Sequence, residues 1–415
     1  MAIIKKFKCI RPIETLAHKV AALPYDVMNK SEAIQMAENN SYSFLHVDRS
    51  EIDLPNETDP HDRIVYEKAA SNLQKMITDK VLIKDENPCL YIYQLISQAK
   101  TQTGLVACTS VDEYLNGTIK KHELTRKDKE QDRINHIKYC NANTGPIFLT
   151  YKDTAEITSI ITKWVETNSP IYDFLADDNV THKVWKIDID ETSNSIIKLF
   201  QEIPSLYIAD GHHRNASAAE VALMKRRENS NYQGDEEFNY YLSVLFPASQ
   251  LKIMDYNRVV KDLNNLTTEK FIECISKNFY ILPFNGVGGF SPSVPHQFGM
   301  FIDGHWYILS CDPEKIPTDP VKSLDVSLLQ DLILSPVLGI DDPRTNDRID
   351  FVGGIRGLRE LERRVLSGSA RVAFSMYPTS INELMNVADS GDIMPPKSTW
   401  FEPKLRSGLF LHELD

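Results

Sequence analysis

The chain has no apolar run approaching the roughly 20 residues that a membrane-spanning helix needs. Behind Met1-Ala2-Ile3-Ile4-Lys5-Lys6-Phe7 there is no apolar core with a small-residue cleavage site, so no secretory leader is expected. Only six cysteines occur, at Cys9, Cys89, Cys108, Cys140, Cys274 and Cys311, and no two form a CxxC pair. That scatter excludes zinc-ribbon spacing and a disulfide framework, and reads as buried free thiols in a reducing cytoplasm. Cations are also short: 46 Lys and Arg against 58 Asp and Glu leave a net charge of −12. Nucleic acid is therefore not an expected partner, because such binding depends on neutralised phosphates. A small anion is still accessible to an acidic protein whose cations gather in one cleft, so the basic clusters are where to look. Internal repeats and low-complexity tracts are absent.

What the sequence does have is the composition of a soluble globular protein, with 42% hydrophobic residues to build a core. At 415 residues, two or three domains are expected. Three parts are drawn: an N-terminal α/β part at 1–100, a catalytic core at 101–256, and a C-terminal α/β domain at 257–415. Hydrophobic periodicity predicts helices at Ser31–Asn39 and Val65–Asp79, and strands at Ser43–Val47, Cys89–Ile96 and Thr103–Thr109, the last two pairing antiparallel. Thr125 with Asp128 resembles a capping box, so a helix is expected from Arg126 to about Tyr139. Strands follow at Ile147–Tyr151 and Tyr240–Phe246, and a strand-turn-helix spans Phe351 to Arg364. Gly286-Val287-Gly288-Gly289 reads as a hairpin loop. The Gly353-Gly354 turn matches neither GxGxxG nor GxxxxGK[ST], so it supports a phosphate loop only weakly.

The most informative segment is Asp210-Gly211-His212-His213-Arg214, between the apolar run Leu206–Ala209 and the Ala-rich stretch Asn215–Ala219. It reads as strand, tight turn, helix. A helix N-terminus exposes unpaired amides and attracts anions. Gly211 permits a sharp bend or close approach of a ligand, and the fork of Arg214 suits phosphate or carboxylate. Asp210, among so many anion-seeking groups, is better suited to be a base or a metal ligand. The plain alternative is a capped turn with locally paired side chains. Two further clusters complete a phosphoryl-transfer set: Lys120, Lys121, His122, Glu123, Arg126 and Lys127, and Lys397, Ser398, Thr399, Lys404 and Arg406. Between them they hold cations to neutralise a moving phosphoryl group, a carboxylate to take a proton, and a second carboxylate to hold Mg²⁺. Taken alone, the middle cluster also reads as a solvated helix face laced with ion pairs.

The Asp-Gly-His-His-Arg turn with its Ala-rich helix resembles the ParB/sulfiredoxin-like superfamily and, within it, the free-serine kinases. Pro24-Tyr25-Asp26, Lys121-His122-Glu123-Leu124-Thr125-Arg126 and Pro396-Lys397-Ser398-Thr399 resemble the marks of a long serine-kinase-like family that includes pyrophosphate-dependent enzymes. The resemblance implies an α/β (α+β) fold with a ParB/sulfiredoxin-like core. It implies transfer of a phosphoryl group from pyrophosphate to free L-serine. Glu123 and Asp210 fall on the catalytic acids, and Lys397, Ser398 and Thr399 on the amino-acid-binding segment. Lys121, His122, Arg126, Gly211, His212, His213 and Arg214 would then hold phosphates, with Mg²⁺ at Asp210. Two departures stand out. The gap between Glu123 and Asp210 is far longer than in compact archaeal kinases, and His212 stands where sulfiredoxin has its cysteine, which removes the thiol that reductase chemistry needs. An ATP- or ADP-dependent kinase and a non-catalytic ligand sensor are the alternatives. The expected partners are small molecules, in a cytoplasmic enzyme of undetermined oligomeric state, with neither nucleic acid nor membrane involved.

Overall fold

The computed structural model describes residues 1–98, 100–229 and 231–415, and divides the chain into two compact units. The first comprises residues 1–251 together with 403–415, the second residues 252–402. This differs from the three parts drawn from the sequence. Strands Leu90–Ile96 and Thr101–Ser110 pair within one sheet with Thr181–Ile187 and Tyr240–Pro247, so 1–100 and 101–256 share a single core. The 257–415 part is also redivided, because its last thirteen residues belong to the first unit.

The first unit is built on a nine-stranded mixed sheet, in keeping with the expected α/β class. Its order is Ile119–Lys120, Leu206–Asp210, Ile147–Tyr151, Tyr240–Pro247, Thr101–Ser110, Leu90–Ile96, Thr181–Ile187, Tyr172–Leu175, with Ile4–Lys5 added beside Thr101–Ser110. The central strands are buried on both faces, which is why they read as continuous apolar runs rather than alternating ones. One face packs against helices Ala155–Thr167, Asp190–Phe200 and His212–Glu228 through Ile157, Ile161, Ile196, Phe200, Ala219 and Ala222. Aromatic rings gather at Phe7, Tyr91, Tyr93 and Phe410, with centroids 5.6–5.7 Å apart along the chain of contacts.

Ser43–Val47 is not a strand. Residues Leu45–Asp48 form a helical turn, and the Leu45 amide donates to the Ser43 hydroxyl at its start. Phe44, Leu45 and Val47 thereby face a second core with Leu73 and Met76 of helix Arg63–Thr78. A five-residue apolar run does not reveal its period, and here packing against a neighbouring helix sets it. The helix expected near Arg126 spans Lys127–Cys140, but Thr125 does not cap it: the Ncap is Arg126, without a side-chain cap. Thr125 donates its hydroxyl to Glu130 instead.

The second unit carries a six-stranded, wholly antiparallel sheet ordered Phe279–Phe284, His305–Cys311, Gln297–Ile302, Val372–Met376, Tyr256–Val260, Ile349–Gly353. The Gly286–Gly289 loop is not a hairpin. It joins two strands that lie on either side of His305–Cys311. Gly354 is accounted for by packing, because its amide bonds the Asp255 carbonyl and a Cβ there would run into the Asp255 side chain.

The C-terminal return is stitched into the first unit by backbone pairing: Ser407 with Ala22, Leu411 with Ile10, and His412–Glu413 with Ala142–Asn143. Gly408 sits in this return at φ +84°, where an added Cβ would stand 2.6 Å from Phe44 Cβ. Gly408→Ala combines a left-handed backbone with overlap against a fully buried ring, and is expected to destabilise the first unit by about 2–4 kcal/mol in urea titration.

Candidate functional site

The site grows from strand Leu206–Asp210. Its pairing with Ile147–Tyr151 shifts register between Ile208 and Asp210, and such an irregularity re-aims the residues beyond it. Gly211 follows at φ +92°, in the left-handed region that an L side chain resists. A Cβ at this position would also come within 3.2 Å of Arg214 Nε, so glycine is required by both conformation and space. Helix His212–Glu228 then begins, and its first ladder bond runs from the Asn215 amide to the Gly211 carbonyl. The amides of His212, His213 and Arg214 lie outside that ladder, as the opening turn of any helix leaves them.

Strand Ile119–Lys120 runs parallel to Leu206–Tyr207, so the chain that follows it passes beside the Asp210 turn. This is how the first two polar clusters of the sequence meet. His122 is buried with its ring edge-on to His212 at a centroid distance of 4.4 Å. His212 Nε2 accepts the His122 amide at 3.4 Å, and His213 Nε2 accepts the Arg126 amide at 3.0 Å. A ring nitrogen that accepts an N–H carries no proton, so both imidazoles hold theirs on Nδ1. His212 Nδ1 faces Glu123 Oε2 at 3.7 Å. The two histidines of the motif therefore clamp the 121–126 loop against the helix start and present Glu123 beside it.

Asp210 receives a cation that the sequence reading had placed only in the third basic cluster. Lys404 Nζ lies 3.0 Å from Asp210 Oδ2, and the Gly211 amide donates to Oδ1 at 2.9 Å. Burial pushes this carboxyl upward, but Lys404 and Arg214 outweigh it and hold the group far below the usual carboxylate range. Arg214 is buried, which favours loss of its charge. Asp26 and Asp210 more than offset that, and its Nη1 donates to the Pro146 carbonyl at 2.6 Å. The Pro24-Tyr25-Asp26 segment is thus part of the same assembly, its Tyr25 ring lying 4.0 Å beneath the Arg133 guanidinium.

The histidines carry no charge at neutral pH. Burial pushes His122 down to about 4, while His212 falls well below its ordinary value through burial and the proximity of His122. His213 is also lowered by burial, against the pull of Asp26. The fixed cations beside Asp210 are therefore Lys404 and Arg214. Lys121 is exposed beside them, and the Arg126 guanidinium is spent on Asp128 at 2.7 Å. Among the described residues Arg214 Nε has no hydrogen-bond partner. Buried polar groups are almost always satisfied, so this atom is open to a polar guest.

Lys397, Ser398 and Thr399 belong to the second unit. Lys397 adopts φ +58° with its ammonium 5.6 Å from the Tyr256 ring centre, Arg258 donates to the Lys397 carbonyl, and the Ser398 hydroxyl donates to the Pro395 carbonyl. Lys404 was hard to assign from sequence because nothing local ties it to Asp210, 194 residues earlier. The neutrality of the histidines was equally hidden, since it follows from burial.

The family described as protein of unknown function (DUF1015) matches residues 4–327. No curated protein matches the sequence at a significant level. Among solved structures, the chain is similar to SbnI with a C-terminal truncation from Staphylococcus aureus, at 10% identity and a TM-score of 0.40, over 74% of this chain and 87% of that one. It is similar to a conserved hypothetical protein from Pyrococcus furiosus at 12% identity and a TM-score of 0.34, over 74% and 95% of the two chains. It is also similar to a free serine kinase in complex with AMP at 12% identity and a TM-score of 0.34, over 77% and 92%. Likeness of this order identifies neither substrate nor donor.

An imidazole held neutral below its ordinary value takes up its proton only on unfolding. Between pH 6.5 and about 4 the unfolded chain binds protons that folded His122 refuses, so stability is lost as pH falls through that window. His212 acts in the same direction. In urea unfolding across this range, wild type should lose about 1.4 kcal/mol per pH unit for each such histidine, and His122→Phe should flatten the slope by about one proton.

Proposed function

We propose that this chain, which belongs to the DUF1015 family of proteins of unknown function, is a phosphotransferase acting on the hydroxyl of free L-serine, with pyrophosphate as donor. The observation that carries the reading is the pairing of Asp210 with Lys404 at an open helix N-terminus, with Glu123 held on the other side of His212. An acid for the hydroxyl, fixed cations for the phosphates and free amides for a phosphate oxygen are what phosphoryl transfer asks of a protein.

In this reading the serine oxygen bonds to phosphorus while the bond from phosphorus to the leaving phosphate oxygen breaks. The hydroxyl proton passes to a carboxylate. Asp210, held far down by Lys404 and Arg214 despite its burial, is a weak proton acceptor, so it orients the nucleophile and Glu123 takes the proton. Lys404, Arg214 and Lys121 hold the phosphates. His212 and His213 each add a single Nδ1–H and keep the loop in place. The assignment of Lys397, Ser398 and Thr399 to the amino acid is supported by the resemblance of that segment alone.

Among the described residues no group of three His, Cys, Asp or Glu side chains is placed to hold a metal ion. Asp210, with Glu123 nearby, offers the one or two carboxylates that Mg²⁺ takes from protein, the rest of its shell being water and phosphate oxygens. Bound there, Mg²⁺ would supply charge neutralisation on the donor.

The test is ³¹P NMR of the full chain with Mg²⁺ and L-serine, with pyrophosphate, ATP or ADP in parallel tubes. Phosphoserine is expected in the pyrophosphate tube. Product with a nucleotide alone would overturn the donor, and no product in any tube would overturn the reaction in favour of a ligand sensor. Glu123→Gln, which removes the proposed proton acceptor, should lower turnover at least about 10²-fold in a folded protein, the lower end of what general-base catalysis contributes. Lys404→Met leaves the Asp210 carboxylate without its cation. It should cost about 1–3 kcal/mol of stability, the worth of a charged hydrogen bond, and move the acid limb of the pH–rate profile upward.

A further inference from the structure

A second cavity lies in the first unit, at the end of the sheet away from Asp210. Phe148, at the beginning of strand Ile147–Tyr151, pairs with Asp210, whereas Tyr151 at the other end of that strand lines the cavity. Its volume is about 170 Å³, close to that of an engineered protein cavity that admits benzene. Pro247, Ile161 and Val165 form apolar walls, and Thr162 and Glu166 of helix Ala155–Thr167 stand exposed at the mouth.

Two observations mark this as a place for a guest. Tyr151 is fully buried and, among the described residues, its hydroxyl has no hydrogen-bond partner. A buried hydroxyl is ordinarily satisfied by protein, water or ligand. The charge in the cavity lining is also acidic. Glu166 lies in the lining and Asp153 acts on the Tyr151 hydroxyl, while no Lys or Arg lines the space. Lys100, in the turn beside Gln250 of the lining, spends its ammonium on the Ser249 and Leu251 carbonyls.

We infer that this cavity binds a small organic amine with a short apolar body: the chain lies against Ile161, Val165 and Pro247, the ammonium meets Glu166, and the Tyr151 hydroxyl is covered. Among the described residues no Lys or Arg lines the cavity to receive an anion, so the guest is chemically distinct from the phosphates proposed for the Asp210 site, and the inference does not depend on that proposal.

Three probes sharing one branched chain separate the possibilities: isopentylamine, isopentanol and isovalerate, each titrated calorimetrically into the full-length protein. The amine is expected to bind, the alcohol more weakly, and isovalerate not at all. Val165→Trp, which fills the space, and Thr162→Trp, which closes the mouth from an exposed position, should each abolish amine binding while the protein keeps its melting temperature. Glu166→Gln should narrow the preference for amine over alcohol by about threefold, the worth of a partly exposed ion pair. The inference is overturned if isovalerate or isopentanol binds as tightly as the amine, or if amine affinity survives in both tryptophan variants. Absence of heat from every probe at about 10 mM, beyond the range of even weak binding, also overturns it.

Discussion

A half-buried carboxylate gains from a cation, and the first unit is arranged so that Asp210 receives one from the far end of the chain. Leaving the first unit after Leu251, the backbone returns at Pro403, and Lys404 is the second residue back. Three short backbone pairings then hold the return: Ser407 to Ala22, Leu411 to Ile10, and His412 to Asn143. Phe410 wedges between Tyr91 and Tyr93, which fixes the strip sideways as well as lengthwise. Without this strip Asp210 would face Arg214 as its chief compensating charge, and desolvation would lift its carboxyl toward neutrality. The acid at the heart of the site therefore exists as an anion because of residues nearly two hundred positions away.

The elements most legible from sequence were those whose period was long enough to be unambiguous. Strand Thr101–Ser110, helix Arg63–Thr78 and the Asp210 turn all stand where patterning puts them. What the pattern could not carry was context. Residues 43–47 look like a strand by composition, yet the Ser43 hydroxyl and the neighbouring helix select a helical turn. The Thr125–Asp128 spacing has the form of a capping box, but Thr125 has a better acceptor in Glu130. Domain limits were hidden for a related reason: the sheet joins strands from both sides of residue 100.

Within the site, residue type was readable and residue state was not. The sequence offers His122, His212 and His213 as cations for phosphate. Folding removes their charge by burial and gives His212 and His213 another task, each accepting a backbone amide from the loop that bears Glu123. The run of two histidines after Asp-Gly is thus explained by spacing as well as chemistry. Adjacent positions at the head of a helix point about 100° apart, so one ring reaches the His122 amide and the other the Arg126 amide. Between them they span the turn of chain that holds the second acid. A lysine at either position would keep its charge but could not accept an N–H, and the loop would lose an anchor.

This division also bears on how two carboxylates in one site can do different work. Environments that push two acids apart are what assign them to different roles. Asp210 is half-buried, accepts the Gly211 amide and meets a lysine, so its oxygens are oriented. Glu123 is exposed, and its carboxylate stands 3.7 Å from the neutral His212 imidazole. The first arrangement suits a group that must not change its charge as a phosphoryl group passes. The second suits a group that must gain a proton and lose it to water each cycle. Because the imidazole between them is neutral and carries its hydrogen on Nδ1, it can follow Glu123 through both states without a compensating ionisation of its own. In the proposed reaction, the burial that silences the histidines leaves proton transfer to Glu123, the more exposed of the two carboxylates.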